Sequence, residues 1–150
     1  MSDYKKFKED LEEGKKWENV VSMFLFFNFK FKWLKPSSLK EFDIYGEHED
    51  GRLISFEVKT DLYEDTGNMA IETSFKGNPS GIMATTSDYF IYLYPKLNQM
   101  YMIESEKLRE LVADGNHKIV MGGDRNDSEL HLLPRSKYAE YFKLMLDFQR

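Results

Sequence analysis

The sequence feature that most constrains the fold is a nearly unbroken run of apolar and aromatic residues from Asp88 to Tyr94. Tyr89, Phe90, Ile91, Tyr92 and Leu93 follow one another directly. A strand with one face in water alternates polar and apolar residues, whereas a strand buried on both faces reads as a continuous apolar run. The run therefore predicts a central strand that is covered on both sides. The segment Gln99–Ile103 is the predicted hairpin neighbour of this strand.

Hydrophobic spacing predicts helices and further strands on either side of this run. Apolar residues recur at helical spacing in Asp3–Glu13 and again from Trp17 to Leu25, and Gly14 is expected to break or bend the chain between them. Ser105 is expected to cap another helix. The remaining predicted elements are the strands Glu41–Tyr45, Leu53–Thr60, Asn68–Ser74, Lys118–Met121 and Glu129–Leu133, a short helical piece at Ile82–Thr86, and a terminal helix at Ser136–Phe148. This order predicts one α/β domain spanning residues 1–150, with a mixed central β-sheet flanked by helices.

Composition restricts the class of protein and the kinds of site. Hydrophobic residues make up 41% and charged residues 31%, which is ordinary for a globular domain. The absence of cysteine excludes disulfides, zinc–thiolate sites and thiol nucleophiles. The polar start from Met1 to Lys16 is unlike a signal peptide, and the apolar run Val20–Phe27 is shorter than the about 20 residues that span a bilayer. We therefore expect a cytoplasmic protein without a membrane segment.

Positive charge is concentrated near the start of the chain, although the net charge is −5. The segment 28–40 has no acid, and its lysines interleave with aromatic residues: Phe29, Lys30, Phe31, Lys32, Trp33, then Lys35 and Lys40. Basic and aromatic residues together suit a phosphate backbone and exposed bases. The alternative is an amphipathic strand or loop with solvated lysines. In a predicted glycine-containing turn, Lys76, Asn78 and Ser80 are further candidates for phosphate binding, and ordinary turn chemistry explains them as well.

Two carboxylates and a lysine are expected on one face of neighbouring strands. Alternation along Leu53–Thr60 puts Glu57 and Lys59 opposite the apolar residues, and Asp43 lies on the preceding strand. Adjacent strands are about 4.8 Å apart, so the two carboxylates could share one hard divalent cation, with Glu18 reaching it from the preceding helix. Lys59 would then orient a water or stabilise negative charge on phosphorus. The alternative is a solvated hairpin with an ordinary surface Glu and Lys.

Glu72 and the three histidines give no specific indication of function. Glu72 is expected either in the same pocket as Glu57 or in a surface salt bridge. The histidines (His48, His117 and His131) have no metal-ligand spacing and are expected to be isolated.

The order of these elements resembles the core of the PD-(D/E)XK nuclease superfamily. The resemblance covers roughly residues 14–94 and rests on Glu18 in a helix, Asp43 in a strand and the sequence Glu57-Val58-Lys59 in the next strand. The segment Met69–Asp88 is also similar to small phage-type or resolvase-like members. Phe42 stands where the motif of that superfamily has a proline, which is not a ligand there.

The resemblance implies a restriction-endonuclease-like core and Mg²⁺-dependent cleavage of DNA, with Mn²⁺ as a substitute. It assigns metal binding to Asp43, Glu57, Val58 and Glu18, and catalysis to Asp43, Glu57, Lys59 and Glu18. It also implies a bacterial or phage-infected host cell as the setting. Some of the abundant aromatic residues could form a homodimer interface, because aromatic residues are favoured at protein interfaces.

The sequence therefore predicts a metal-dependent DNA endonuclease. One alternative is a catalytically inactive subunit of nuclease fold that binds nucleic acid or assembles with partners, which the acidic net charge favours. Another is a carboxylate-pair hydrolase acting on sugars, which would leave Lys59 without a role.

Overall fold

Residues 3–62 and 66–147, which the computed structural model describes, form two β-sheets and three α-helices. The helices are α1 (Asp3–Asn28), α2 (Ser105–Ala113) and α3 (Arg135–Tyr138). The strands are β1 (Phe31–Pro36), β2 (Ile44–His48), β3 (Leu53–Thr60), β4 (Asn68–Phe75), β5 (Asn78–Pro79), β6 (Tyr89–Tyr94), β7 (Gln99–Glu104), β8 (Lys118–Gly122), β9 (Ser128–Pro134) and β10 (Lys143–Asp147).

The larger sheet has the strand order β1-β2-β3-β6-β7-β10. Its β3–β6 pair is parallel and its other pairs are antiparallel. The predicted mixed central sheet in an α/β protein is therefore confirmed. The predicted hairpin of the aromatic strand with its neighbour is also confirmed, because β6 pairs with β7 from Tyr89–Glu104 to Tyr94–Gln99.

The aromatic strand β6 is buried on both faces, as its composition predicts. Ile91 and Leu93 enter a core on one side of the sheet, and Phe90, Tyr92 and Tyr94 enter a second core on the other side. The Tyr92 side chain is fully buried, and its hydroxyl oxygen accepts a hydrogen bond from the Ala70 N–H of β4 at 3.3 Å. This bond satisfies a polar group that would otherwise be costly to bury, and it links the two sheets.

Helix α1 covers one face of the larger sheet. Val21 and Leu25 are buried against Ile44, Phe56 and Ile91. The predicted break at Gly14 is wrong, because α1 is a single 26-residue helix. A helical glycine costs about 1 kcal/mol relative to alanine, which good helix formers on both sides outweigh. Among residues 3–62 and 66–147, no helix is long and apolar enough to cross a membrane.

The opposite face is covered mainly by a second sheet, not by helices alone. This antiparallel sheet has the order β5-β4-β9-β8, and its Met69, Ile71 and Leu133 pack with the β6 aromatics and with Leu108 of α2. The predicted third strand therefore exists as β4, but it pairs with β9. The predicted β8–β9 pair is also present.

The end of the described chain corrects another prediction. The helix expected over Ser136–Phe148 is replaced by the single turn α3, a 3₁₀ turn at Ala139–Tyr141 and the strand β10. Strand β10 pairs with β7 through Lys143–Met102 and Leu144–Tyr101, so inter-strand hydrogen bonds override the helical spacing of the apolar residues. Phe148 itself lies outside the described residues.

Three local predictions also need correction. The strand expected over Glu41–Tyr45 begins only at Ile44, because the Glu41 carbonyl oxygen accepts hydrogen bonds from the Thr86 N–H and the Thr85 hydroxyl instead of pairing in the sheet. Helix α2 begins at Ser105 without a side-chain cap, because the Ser105 hydroxyl bonds to that of Ser87 at 2.9 Å. The helical piece expected over Ile82–Thr86 is a 3₁₀ turn at Gly81–Met83.

Gly46 allows β1 to approach β2 closely, and this gives a testable prediction. A Cβ atom at Gly46 would lie 2.4 Å from the Trp33 carbonyl oxygen and 2.6 Å from Leu34 Cδ2. We expect Gly46→Ala to lower the free energy of unfolding by about 1–3 kcal/mol, as overpacking does. The matched control is Gly14→Ala, where nothing lies within 4 Å; this change should raise stability by about 0.5–1 kcal/mol. Urea denaturation measures both, and an unchanged midpoint for Gly46→Ala would contradict the described packing.

Candidate active site

The site begins where strands β2 and β3 separate. Their pairing ends with Ile44 opposite Phe56, while β3 continues to Thr60. The Asp43 N–H donates to the Phe56 carbonyl oxygen at 2.9 Å, and Asp43 Oδ2 accepts a hydrogen bond from the Val58 N–H at 2.8 Å. Asp43 Oδ2 thus accepts a hydrogen bond that, in a longer β2, a backbone carbonyl oxygen would accept from β3. This bond fixes the position of the Asp43 carboxylate.

Asp43 and Glu57 are in direct contact, because their carboxyl groups hydrogen-bond to each other. Burial and the negative charge of Asp43 raise the pKa of Glu57 to about 8, from its ordinary 4.5. Burial also raises the pKa of Asp43, and the Val58 N–H partly offsets this. The pair therefore holds a proton more tightly than an ordinary exposed carboxyl group does. Two neighbouring carboxyl groups away from water usually keep one proton between them, because two negative charges at that distance repel each other.

Thr85 and Arg109 hold the loop that packs against Glu57. The buried Thr85 Oγ1 lies 3.2 Å from Glu57 Oε2 and 2.6 Å from the Glu41 carbonyl oxygen. Arg109, on α2, donates from Nε to the Ile82 carbonyl oxygen at 3.0 Å and from Nη2 to the Thr85 carbonyl oxygen at 2.6 Å. Thr85 belongs to the polar stretch 85–88, which on sequence alone is compatible with a helix cap or a substrate contact. Nothing in the sequence marks Arg109, since its role depends on a contact between distant elements.

Glu18 and Lys59 extend the site from two sides. Glu18 lies on α1 and is half-buried; burial and the charge of Asp43 raise its pKa, which places it near that carboxylate. Lys59 is exposed and pairs with Tyr92 of β6, so it lies on the same face of β3 as Glu57. Val58 contributes its N–H to Asp43. The structure thus brings Asp43 and Glu57 together and places Glu18 near Asp43, while Lys59 lies two residues beyond Glu57 on the same face of β3.

The candidate nucleic-acid residues fall into two groups. Lys30 lies in the turn after α1, and Lys32 on β1 forms an ion pair with Glu47 at 3.4 Å. Lys76 lies in the turn between β4 and β5, with its Nζ 5.4 Å from the Phe75 ring centroid, and Asn78 is the first residue of β5. The Ser80 hydroxyl donates to Glu72 Oε2 at 2.9 Å. This bond gives Glu72 a partner that is neither Glu57 nor a basic side chain.

The sequence expectation of isolated histidines is wrong for two of them. His117 Nε2 lies 2.6 Å from His131 Nδ1, and His131 Nε2 lies 3.2 Å from Glu129 Oε1. Burial and the neighbouring His131 lower the pKa of His117. The pair joins the loop after α2 to β9, a contact that sequence spacing does not reveal.

Comparisons with known proteins give one structural likeness. No protein-family model matches the sequence, and no curated protein matches it. The fold is similar to that of the bacterial homing endonuclease I-Ssp6803I, with a TM-score of 0.45 and 16% sequence identity. The match covers 77% of this chain and 72% of that chain.

The chemistry of the donor atoms suits a hard divalent cation. Asp43 and Glu57 present carboxylate oxygens, the ligand type that Mg²⁺ prefers, and Mg²⁺ sites in proteins commonly use only one or two carboxylates. Within residues 3–62 and 66–147, no group of three or more His, Cys, Asp or Glu is arranged to hold a metal ion. Glu18 therefore lies near the pair without completing a three-carboxylate cluster. A cation bound by the pair would replace the shared proton.

The shared proton gives a pH-dependent stability that can be measured in metal-free protein. Native Glu57 keeps its proton up to about pH 8, whereas the unfolded chain releases it near pH 4.5. Since the native state then binds more protons, its free energy of unfolding falls as the pH rises through this window. We expect Glu57→Gln to be more stable than the natural chain at pH 8 by about 1–2 kcal/mol, a value reduced for solvent screening of a half-buried group.

Urea denaturation in EDTA between pH 5 and pH 8.5 checks this expectation. The difference between the two curves isolates Glu57 from groups of opposite sign, such as His117, whose lowered pKa makes stability fall at low pH. The exposed Glu110→Gln is the matched control and should leave the slope unchanged. Parallel curves for Glu57→Gln and the natural chain would show that the carboxyls do not share a proton.

Proposed function

We propose that this chain is a Mg²⁺-dependent DNA endonuclease of PD-(D/E)XK type. Its active site, which hydrolyses phosphodiester bonds, would consist of Asp43, Glu57 and Lys59. The observation that carries the proposal is the hydrogen-bonded Asp43–Glu57 pair at the point where β2 and β3 separate. Two carboxyls held against each other cost stability, so a site that keeps them together is best explained by a cation that both can bind. Lys59 on the same face gives the pair a positive neighbour that a purely structural carboxyl pair would not need.

Each side chain has a role that follows from its contacts. The Val58 N–H orients the Asp43 carboxylate once the pair has lost its proton, and Thr85 Oγ1 lies 3.2 Å from Glu57 Oε2. A divalent cation bound there supplies a water of lowered pKa and neutralises charge on the phosphate. Lys59 is long and exposed, so it can hold the attacking water or a non-bridging phosphate oxygen. Glu18 adds negative charge next to Asp43 and can accept a proton from a nearby water.

DNA is the proposed substrate because its backbone is a chain of phosphodiesters, and the protein places basic residues near both sheets. Lys35 is exposed on β1, and Lys76 is exposed in the β4–β5 turn. Such lysines bind phosphate without reading sequence and make affinity depend on salt. The same carboxylate pair would bind Mn²⁺ in place of Mg²⁺, since both prefer oxygen ligands.

The test of the proposal is a cleavage assay on branched, single-stranded and linear duplex DNA, with and without Mg²⁺ or Mn²⁺. We expect metal-dependent cleavage that Glu57→Gln and Asp43→Asn abolish. Lys59→Ala should lower the rate about 10²–10³-fold, as the loss of one group that stabilises developing charge does. Circular dichroism and urea denaturation verify that the variants fold.

The matched controls are Glu110→Gln and Lys118→Ala, an exposed acid and an exposed base on other elements, and both should cleave normally. Undiminished metal-dependent cleavage by both Glu57→Gln and Lys59→Ala would overturn the site assignment. A natural chain that binds DNA but takes up no Mg²⁺ or Mn²⁺ at the pair in a calorimetric titration would instead be a non-catalytic binding subunit.

A further inference from the structure

Three residues of the β1–β2 hairpin lie on the same face of the larger sheet as Glu57. Lys35 is opposite Tyr45, and Tyr45 is opposite Ser55, two residues before Glu57. The neighbouring pair Ile44–Phe56 is buried under α1, so alternation puts Tyr45, Ser55 and Glu57 on the other face. Trp33, two residues before Lys35, contacts the Tyr45 ring and belongs to this face as well.

The second sheet covers only part of this face. It packs on Phe90, Tyr92 and Tyr94 of β6, which are all buried. Trp33 and Tyr45 lie two and one strands away from β3 in the direction opposite to β6, and both remain partly exposed. The open part of the face is thus an aromatic surface that is continuous with the carboxylate pair.

The aromatic rings on this surface support one another. The Trp33 and Tyr45 ring centroids are 5.5 Å apart with an interplanar angle of 86°, and those of Phe42 and Tyr45 are 5.9 Å apart at 63°. These edge-to-face contacts hold the rings in place. Lys35 Nζ lies 4.9 Å from the Trp33 ring centroid, which brings a positive charge to the same surface. Glu47, which lies opposite Trp33, forms an ion pair with Lys32 at 3.4 Å.

We propose that Trp33 and Tyr45 form a stacking platform for an unpaired base of a DNA strand, so that DNA with single-stranded or unpaired nucleotides beside the cut is the preferred substrate. The stacking itself does not depend on cleavage, whereas the substrate preference rests on the proposed function. Aromatic side chains bind single strands through base stacking, and a lysine beside them binds the adjoining phosphate. In a duplex the bases are stacked on one another and offer no free face to a protein ring.

The spacing between the platform and the carboxylates suits this arrangement. With about 3.3 Å per residue along a strand and about 4.8 Å between strands, Tyr45 lies roughly 8 Å from Glu57 across the sheet. A stacked strand advances about 3.4 Å per nucleotide. When one base stacks on Tyr45, the phosphate two or three nucleotides along the strand therefore lies at the Asp43–Glu57 pair. Lys35, opposite Tyr45, and Lys59, two residues beyond Glu57, lie at the two ends of this path, where each can bind a phosphate.

The first experiment measures binding in EDTA, where cleavage cannot interfere. The chain has two tryptophans, so Trp17→Phe leaves Trp33 as the only indole reporter. We expect an oligo(dT) of about 12 nucleotides, within the range of single-strand binding sites, to quench Trp33 fluorescence. A blunt duplex of equal length should quench it much less. If Trp17→Phe fails to fold, fluorescence anisotropy of labelled oligo(dT) with the natural chain gives the affinity directly.

The second experiment removes the platform. Trp33→Leu should weaken oligo(dT) binding about five- to hundredfold, the range for loss of one stacked base, and leave duplex binding unchanged. The matched control is Phe27→Leu, a 76% exposed aromatic residue on α1, which should bind as the natural chain does. Equal oligo(dT) affinity for Trp33→Leu and the natural chain, or absence of Trp33 quenching, overturns the platform.

The outcome separates the two proposals. If oligo(dT) binds and quenches Trp33 but no DNA is cut with Mg²⁺ or Mn²⁺, the platform stands and the endonuclease proposal fails. If DNA is cut and Trp33→Leu cuts gapped, branched and fully paired DNA at the natural rates, the endonuclease proposal stands and the platform fails.

Discussion

The parallel pairing of β3 with β6 is the interaction on which the cores and the candidate site both depend. It places Val58 beside Ile91 on the α1 side of the sheet, and Glu57 beside Phe90 on the other side. Because β6 is buried on both faces, β3 cannot slip by one residue without moving its apolar residues into the wrong layer. The register that packs the core therefore also fixes which side of the sheet receives Glu57 and Lys59.

The carboxylate pair is stable in this position because its charge is only partly developed. A single buried carboxylate costs several kcal/mol, roughly, unless it is paired and hydrogen-bonded. Here a proton between Asp43 and Glu57 and the hydrogen bond from the Val58 N–H to Asp43 meet that need. In the proposed function a cation would replace this proton, and the Val58 N–H would still bond to Asp43. This is the trade-off expected of a functional site, where local stability is lower than packing alone would allow.

Much of the fold follows from patterns within single elements. The apolar run of β6 predicted its burial on both faces, and alternation along β3 predicted that Glu57 and Lys59 share one side. The contact of Asp43 with Glu57 was predicted from strand neighbours alone, and their shared hydrogen bond is what the structure adds. These features are local in the chain or join consecutive strands, which is why sequence spacing reveals them.

The rest depends on long-range pairing that no local pattern encodes. Strand β4 pairs with β9, about sixty residues later, and this builds a second sheet where helices were expected. The segment 143–147 forms an edge strand because β7 offers free backbone groups beside it, although its apolar spacing is helical. Thr85 and Arg109 act on Glu57 through a loop and a helix, and neither residue belongs to a motif.

Gly46 connects the packing of the hairpin with the surface beside the site. The lack of a side chain there lets the Trp33 carbonyl approach to a distance that any Cβ atom would prevent. A bulge between Phe31 and Trp33 then shifts the register by one residue and brings Trp33 opposite Glu47, where its ring meets Tyr45. A larger residue at position 46 would push β1 away and separate these rings, while β3 kept its pairing with β6 and Asp43 kept its hydrogen bonds to β3. The aromatic surface and the carboxylate pair thus share one sheet face but depend on different strand contacts, so each can be removed without the other.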